Sequence, residues 1–156
     1  MRTARARRAL GLAAATALLA GGAVACGSGD SGPRLTVEDA YLPRPVTTDT
    51  AGGFMTIRND GDTDDRLTSV NSDISDDVQI HTTSDGTMRR VPSLPVPAGG
   101  ALELSRGGDH LMFMDLARRP AQGEKVSVEL HFEKSDPITI EIPVEATNHV
   151  PGSHHQ

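Results

Sequence analysis

Between Leu35 and Val144 the chain runs in short stretches where apolar and polar residues alternate or β-branched residues gather, bounded by Gly, Pro, Asp and Asn. The runs are Leu35 to Leu42, Gly53 to Asn59, Arg66 to Asn71, Val78 to Thr83, Thr87 to Val91, Ala101 to Leu104, His110 to Leu116, Lys125 to Phe132 and Ile138 to Val144. In the clearest of them Val126, Val128, Leu130 and Phe132 share one face, and His131 falls on the polar one. The connections Asn59-Asp60-Gly61-Asp62, Ser84-Asp85-Gly86, Ala98-Gly99-Gly100 and Arg106-Gly107-Gly108-Asp109 supply residues that tolerate positive φ. Past the leader no segment holds a helical period over ten residues or more. Closely spaced short strands of this kind predict an all-β sandwich or barrel, and the length of 156 residues leaves room for one such domain.

Residues 1–26 read differently. A basic start is followed by an apolar run from Ala9 to Ala25 and then by Cys26, the order of an export signal. Ala23-Val24-Ala25 suits ordinary signal peptidase, whereas small residues directly before a cysteine resemble a lipobox. In the second and favoured reading Cys26 is lipidated and becomes the mature N-terminus. Gly27 to Pro33 is a flexible polar stretch, so residues 27–34 are expected to tether a domain spanning 35–146 to the outer face of the cell membrane. Residues 147–156 read as a disordered, mobile tail containing His149, His154 and His155.

Charge and composition remove several function classes. Without the four leader arginines, 11 basic residues face 21 acidic ones, a net of about −10, which argues against nucleic-acid binding. Three Phe, one Tyr and no Trp leave few platforms for stacking bases or sugars. There is no Gly-x-Ser-x-Gly, no His-Glu-x-x-His and no phosphate-cradling loop, so no catalytic activity is expected. Cys26 is the only cysteine, so the domain has neither a disulfide nor a thiolate for a metal, and a blue-copper oxidoreductase lacks its ligand.

What remains is a set of imidazoles and thioethers. His110 and Met112 stand two apart in a predicted strand and so project from the same side, a chelating spacing, with His81 and Met88 upstream. Thioether sulfur is soft and neutral and favours copper(I) over zinc, calcium or magnesium. It also suits an oxidising compartment, since it needs no deprotonation and forms no disulfide. Met114 shares the strand face of His110 and Met112 and is a lesser candidate, while Met55 reads as a core filler. Asp85 and Asp109 lie near in sequence, but a hard carboxylate is a poor copper(I) ligand. The acidic run from Asp60 to Asp65 lacks the EF-hand pattern and reads as a solvated turn. His149, His154 and His155 form a possible second site, for copper(II), or else a solvated end.

The string His81-x6-Met88-x21-His110-x-Met112, with Pro97-Ala98-Gly99-Gly100 inside it and Gly107-Gly108-Asp109 before the second histidine, resembles the periplasmic copper chaperone family called PCu(A)C. The likeness extends over roughly residues 35 to 145. Val37 to Arg44 looks like that family's first strand, Gly53 to Asn59 like its second, and Val126 to Phe132 with Ile138 to Val144 like its closing hairpin. Met88, His110 and Met112 keep the family spacing. Between His81 and Met88 the chain has six residues where the family commonly has about ten, consistent with a shortened hairpin whose flanking strands keep register. The resemblance implies a cupredoxin-like, Greek-key β-barrel that binds copper(I) near its surface and passes it on. It also implies a recipient, the Cu(A) centre in cytochrome c oxidase subunit II, and a Sco-type thioredoxin-like companion. A lipid-anchored β-sandwich that serves as an interaction module without metal is the alternative from another class.

Overall fold

The structure is a computed structural model that describes residues 31–152; Cys26, His154 and His155 lie outside them. Ten strands follow one another: β1 (Leu35–Pro43), β2 (Thr50–Asn59), β3 (Asp65–Ser72), β4 (Asp77–Ser84), β5 (Thr87–Arg90), β6 (Leu94–Val96), β7 (Gly100–Leu104), β8 (His110–Met114), β9 (Lys125–Phe132) and β10 (Ile138–Glu145). They form one mixed sheet in the order β5-β4-β8-β2-β1-β10-β9-β3-β6, with β7 also pairing β2. Among the described residues there is no helix. The all-β expectation holds.

Both halves of this path turn their apolar sides to a single core. Val126, Val128 and Leu130 of β9 meet Leu67, Ile142, Ile57, Leu111 and Phe113 there, all with no exposed surface. Period-two alternation explains the strands, and one shared core explains why the sheet rolls up rather than lying flat. The roll is made partly by β1. Asp39 takes a positive φ of 52° at a register shift between Glu38 and Tyr41; past it β1 keeps the pair of Tyr41 with Phe54 of β2 and then pairs in parallel with β10 through Leu42 and Val144. An extra residue at a bulge bends its strand in this way.

Two differences from the sequence reading matter. β6 goes unannounced because Pro95 interrupts a three-residue run. It survives as an edge strand on β3, with Leu94 and Val96 buried and Pro95 exposed. β2 starts at Thr50 rather than Gly53, and the added residues Thr50, Ala51 and Gly52 pair with Met114, Phe113 and Met112 of β8. The described part of the tail lies against the sheet: Thr147 Oγ1 donates to the Arg44 carbonyl, and His149 stacks edge-on to Tyr41 at 4.8 Å.

The acidic run contributes structure through Asp65, which is 1% exposed. Burial by itself would raise its carboxyl, but hydrogen bonds from the Ser135 hydroxyl and from the backbone N–H groups of Arg66, Lys134 and Ser135 outweigh that and hold it below the ordinary range. The folded-state value is the lower one, so its stabilisation is present above the unfolded carboxyl's value near 3.9 and is lost as pH falls through the folded value. Asp65→Ala is expected to cost about 3 kcal/mol at neutral pH by leaving three partly buried backbone N–H donors and the Ser135 hydroxyl without their acceptor. Urea unfolding from neutral pH down to about pH 2 tests this, and an acid limb as steep in the variant as in the wild type would count against it.

Candidate metal centre

β4 and β8 are adjacent and antiparallel, with Val78, Ile80, Leu111 and Phe113 on the core side. Alternation therefore puts Gln79, His81 and Thr83 of β4, and His110, Met112 and Met114 of β8, on the opposite side. The register sets His81 directly across from His110 and Gln79 across from Met112. Their imidazole centroids are 5.5 Å apart. β5 returns from β4 through Asp85 and Gly86, with φ of 52° and 73°, a two-residue turn of the kind that closes tight hairpins. That turn pairs Thr83 with Met88 and His81 with Arg90, so Met88 shares the face of the histidines, two residue pairs nearer the hairpin tip than His81.

Met88, His110 and Met112 line one shallow pocket of about 300 Å³, together with Gly52, Phe54, Thr83, Arg106 and Gly107. Gly52 lies beside Met112, and a Cβ there would come within 3.1 Å of the Phe54 ring. The glycine is thus what lets Phe54 lie over this end of the sheet. Phe54 in turn contacts the His110 ring at 6.5 Å and the Tyr41 ring at 5.2 Å, which helps explain why His110 is only 5% exposed although it points away from the core.

The two histidines are held in defined tautomers. Nδ1 of His110 donates to the Gly108 carbonyl at 2.9 Å, which leaves Nε2 as a bare lone pair. On β4, the Asp77 carboxylate accepts from the Gln79 amide nitrogen at 2.8 Å, so the Gln79 oxygen faces His81 and accepts from its Nε2 at 2.9 Å. Nδ1 of His81 is then the bare lone pair. These two atoms, His81 Nδ1 and His110 Nε2, are buried and have no hydrogen-bond partner. A histidine that donates from one nitrogen and presents the other is the usual arrangement of a metal ligand. Burial first, then the electrostatic influence of the His110 ring and of the Arg90 guanidinium, pushes His81 below the ordinary histidine value against a smaller opposite pull from Asp77, which favours the neutral ring that can coordinate.

Of the sequence candidates, Met88, His110 and Met112 line the pocket, and His81 does not, standing on the same face opposite His110. His81, Met88, His110 and Met112 share one face, with Met88 51% exposed on the outermost strand. Met114 shares that face but lies farther along, opposite Asp77 and Thr50, and does not line the pocket. Met55 is in the core. Asp85 sits in the hairpin turn, and the Asp109 carbonyl accepts the Ser105 N–H. His149 is near Glu145, with Nδ1 3.9 Å from the carboxylate, against Tyr41 rather than at the pocket. Among the described residues no three His, Cys, Asp or Glu gather as a metal group, so a site on this face needs its thioethers. Sequence reasoning passed over Gln79, Gly52, Phe54 and Arg106. Gln79 alone carried a local signal, standing two before His81 on the same strand face.

Residues 35–144 match the family described as "Putative lipoprotein LpqE-like". A protein of Leifsonia xyli subsp. xyli named "Putative lipoprotein Lxx21020" is 31% identical over 96 residues, 58% of this chain and 58% of that relative, so the match spans less than two thirds of the relative's length. Among solved structures, the copper-bound PCuAC domain from PmoF2 superposes with a TM-score of 0.64 at 27% identity, covering 72% of this chain and 92% of that domain. The copper(I) form of DR1885 from Deinococcus radiodurans gives a TM-score of 0.64 at 25% identity, covering 78% and 85%. The fold is that of PCuAC domains.

Proposed function

This chain belongs to the LpqE-like lipoprotein family, and from that premise we propose that it is an exported copper(I) carrier, anchored through Cys26, whose site is His81, Met88, His110 and Met112. One observation carries the reading: two buried, unpartnered imidazole nitrogens with fixed tautomers lie on paired strands that share a face with two methionines. Two borderline nitrogens and two soft sulfurs, all neutral, form a donor set for a soft monovalent ion. The likeness to domains solved with copper supports the same choice.

Neutral ligands and a half-exposed Met88 fit a carrier rather than a store, since a thioether can be displaced without moving the core. Delivery toward the Cu(A) site of cytochrome c oxidase subunit II, with a Sco-type thioredoxin-like companion, is the finer form of the proposal and rests on the family resemblance. His149, His154 and His155 are proposed as a separate copper(II) site on the tail.

Titration of the mature domain with copper(I) against a competing chelator is expected to show one equivalent bound, unchanged when residues 147–156 are deleted, with X-ray absorption reporting mixed sulfur and nitrogen ligation. Absence of binding would leave the anchored, metal-free interaction module as the better reading. Binding lost on deleting the tail would move the site to the C-terminus.

A further inference from the structure

Two arginines border the proposed copper site. Arg106 lines the pocket with Met88, His110 and Met112, its guanidinium 5.6 Å from the Phe54 centroid and one N–H donating to the Thr147 carbonyl at 3.2 Å. Arg90 pairs with His81 across β4 and β5 and so stands on the same face. Among the described residues neither forms an ion pair. On that face of β4, Asp77 is engaged by Gln79 and sits beyond Met112, while Asp85 borders a neighbouring hollow with Arg89.

This rim opposes the sign of the molecule, whose mature chain is net acidic. Fixed positive charge beside a cation site does nothing to hold the cation. It does favour an anion that arrives there, and it favours the deprotonated form of a group that ionises there. The metal selects soft donors, and the rim selects negative ones. Thiolate satisfies both requirements.

We propose that Arg90 and Arg106 steer a thiolate onto the copper(I) carried by this site, an inference that rests on the copper(I) reading above. The thiol loses its proton to water, and its sulfur lone pair forms a bond to copper as the bond from copper to the Met88 thioether breaks. Copper remains monovalent throughout, and no electron is transferred. Met88 is the ligand best placed to leave, being half exposed on the outermost strand. The entering thiolate cancels the unit charge that four neutral ligands leave on the ion.

The test follows copper(I) removal from the loaded protein by mercaptoacetate, mercaptoethanol and cysteamine at equal thiolate concentration and low salt. Wild type is expected to react in that order of rate. Arg90→Gln with Arg106→Gln should slow mercaptoacetate about tenfold and mercaptoethanol about threefold while leaving cysteamine nearly unchanged, with the contrast shrinking as salt is raised. Arg90→Lys with Arg106→Lys should keep the wild-type order. Equal rate changes for all three thiols, or none, in a variant that still loads one copper(I) would overturn the proposal. A wild type that fails to load would instead overturn the carrier reading. A two-cysteine peptide run alongside separates the sources: arginine dependence in both arms points to a partner's cysteines, and dependence with small thiols alone points to a low-molecular-weight donor.

Discussion

His110→Ala is expected to lower copper(I) affinity by more than about 100-fold, because an inner ligand counts for at least as much as the outer hydrogen-bond partners that orient it. His110 presents a lone pair whose direction is fixed by the Gly108 carbonyl, and a water admitted in its place is a hard donor that copper(I) accepts poorly. Met112→Ala should act similarly by removing sulfur from the same strand face. Neither change touches Leu111 or Phe113, which hold β8 to the core, so both variants should unfold within about 1 kcal/mol of the wild type. Chelator competition measures the affinity and urea unfolding the stability. Wild-type affinity in both variants would refute the assignment of β8 as the ligand strand.

Phe113→Ala is expected to have the opposite signature, a loss of about 4 kcal/mol in stability from emptying a fully buried ring site, with the proposed copper ligands untouched. The ring packs against the α-carbon of Gly53 on β2 so closely that a Cβ there would meet it at 2.7 Å. Removing the ring therefore opens a void beneath the paired segment of β2 and β8, directly under the proposed site. Copper(I) bound only by the folded state should recover part of the loss, raising the unfolding midpoint with ligand concentration. A variant as stable as wild type without metal would mean that the core collapses to fill the space, and that β8 is held mainly by its hydrogen bonds to β2 and β4.

The contrast between these two substitutions follows from one strand read on its two faces, and that much is written in the local sequence. His110, Met112 and Met114 alternate with Leu111 and Phe113, and strand geometry needs nothing more to separate them. The same holds for the apolar side of β9 and for the Asp85-Gly86 turn that shapes the β4 and β5 hairpin. The resemblance to copper-binding domains was likewise stated from residue spacing and strand segments, and the shared fold at 25% to 27% identity agrees with it.

Apart from β6 and the first three residues of β2, local pattern determined which residues form strands and which side of each strand is polar, because side-chain direction depends on the backbone of a few neighbouring residues. It could not determine that β4 lies beside β8 with His81 opposite His110, that Gly52 lets Phe54 cover the site, or that Arg90 and Arg106 end beside it. Register between distant strands is chosen by the whole core at once, since a slip of one residue would turn every buried side chain outward. The tautomers of His81 and His110 are later consequences of that choice, for a proton goes to whichever nitrogen the finished fold supplies with an acceptor.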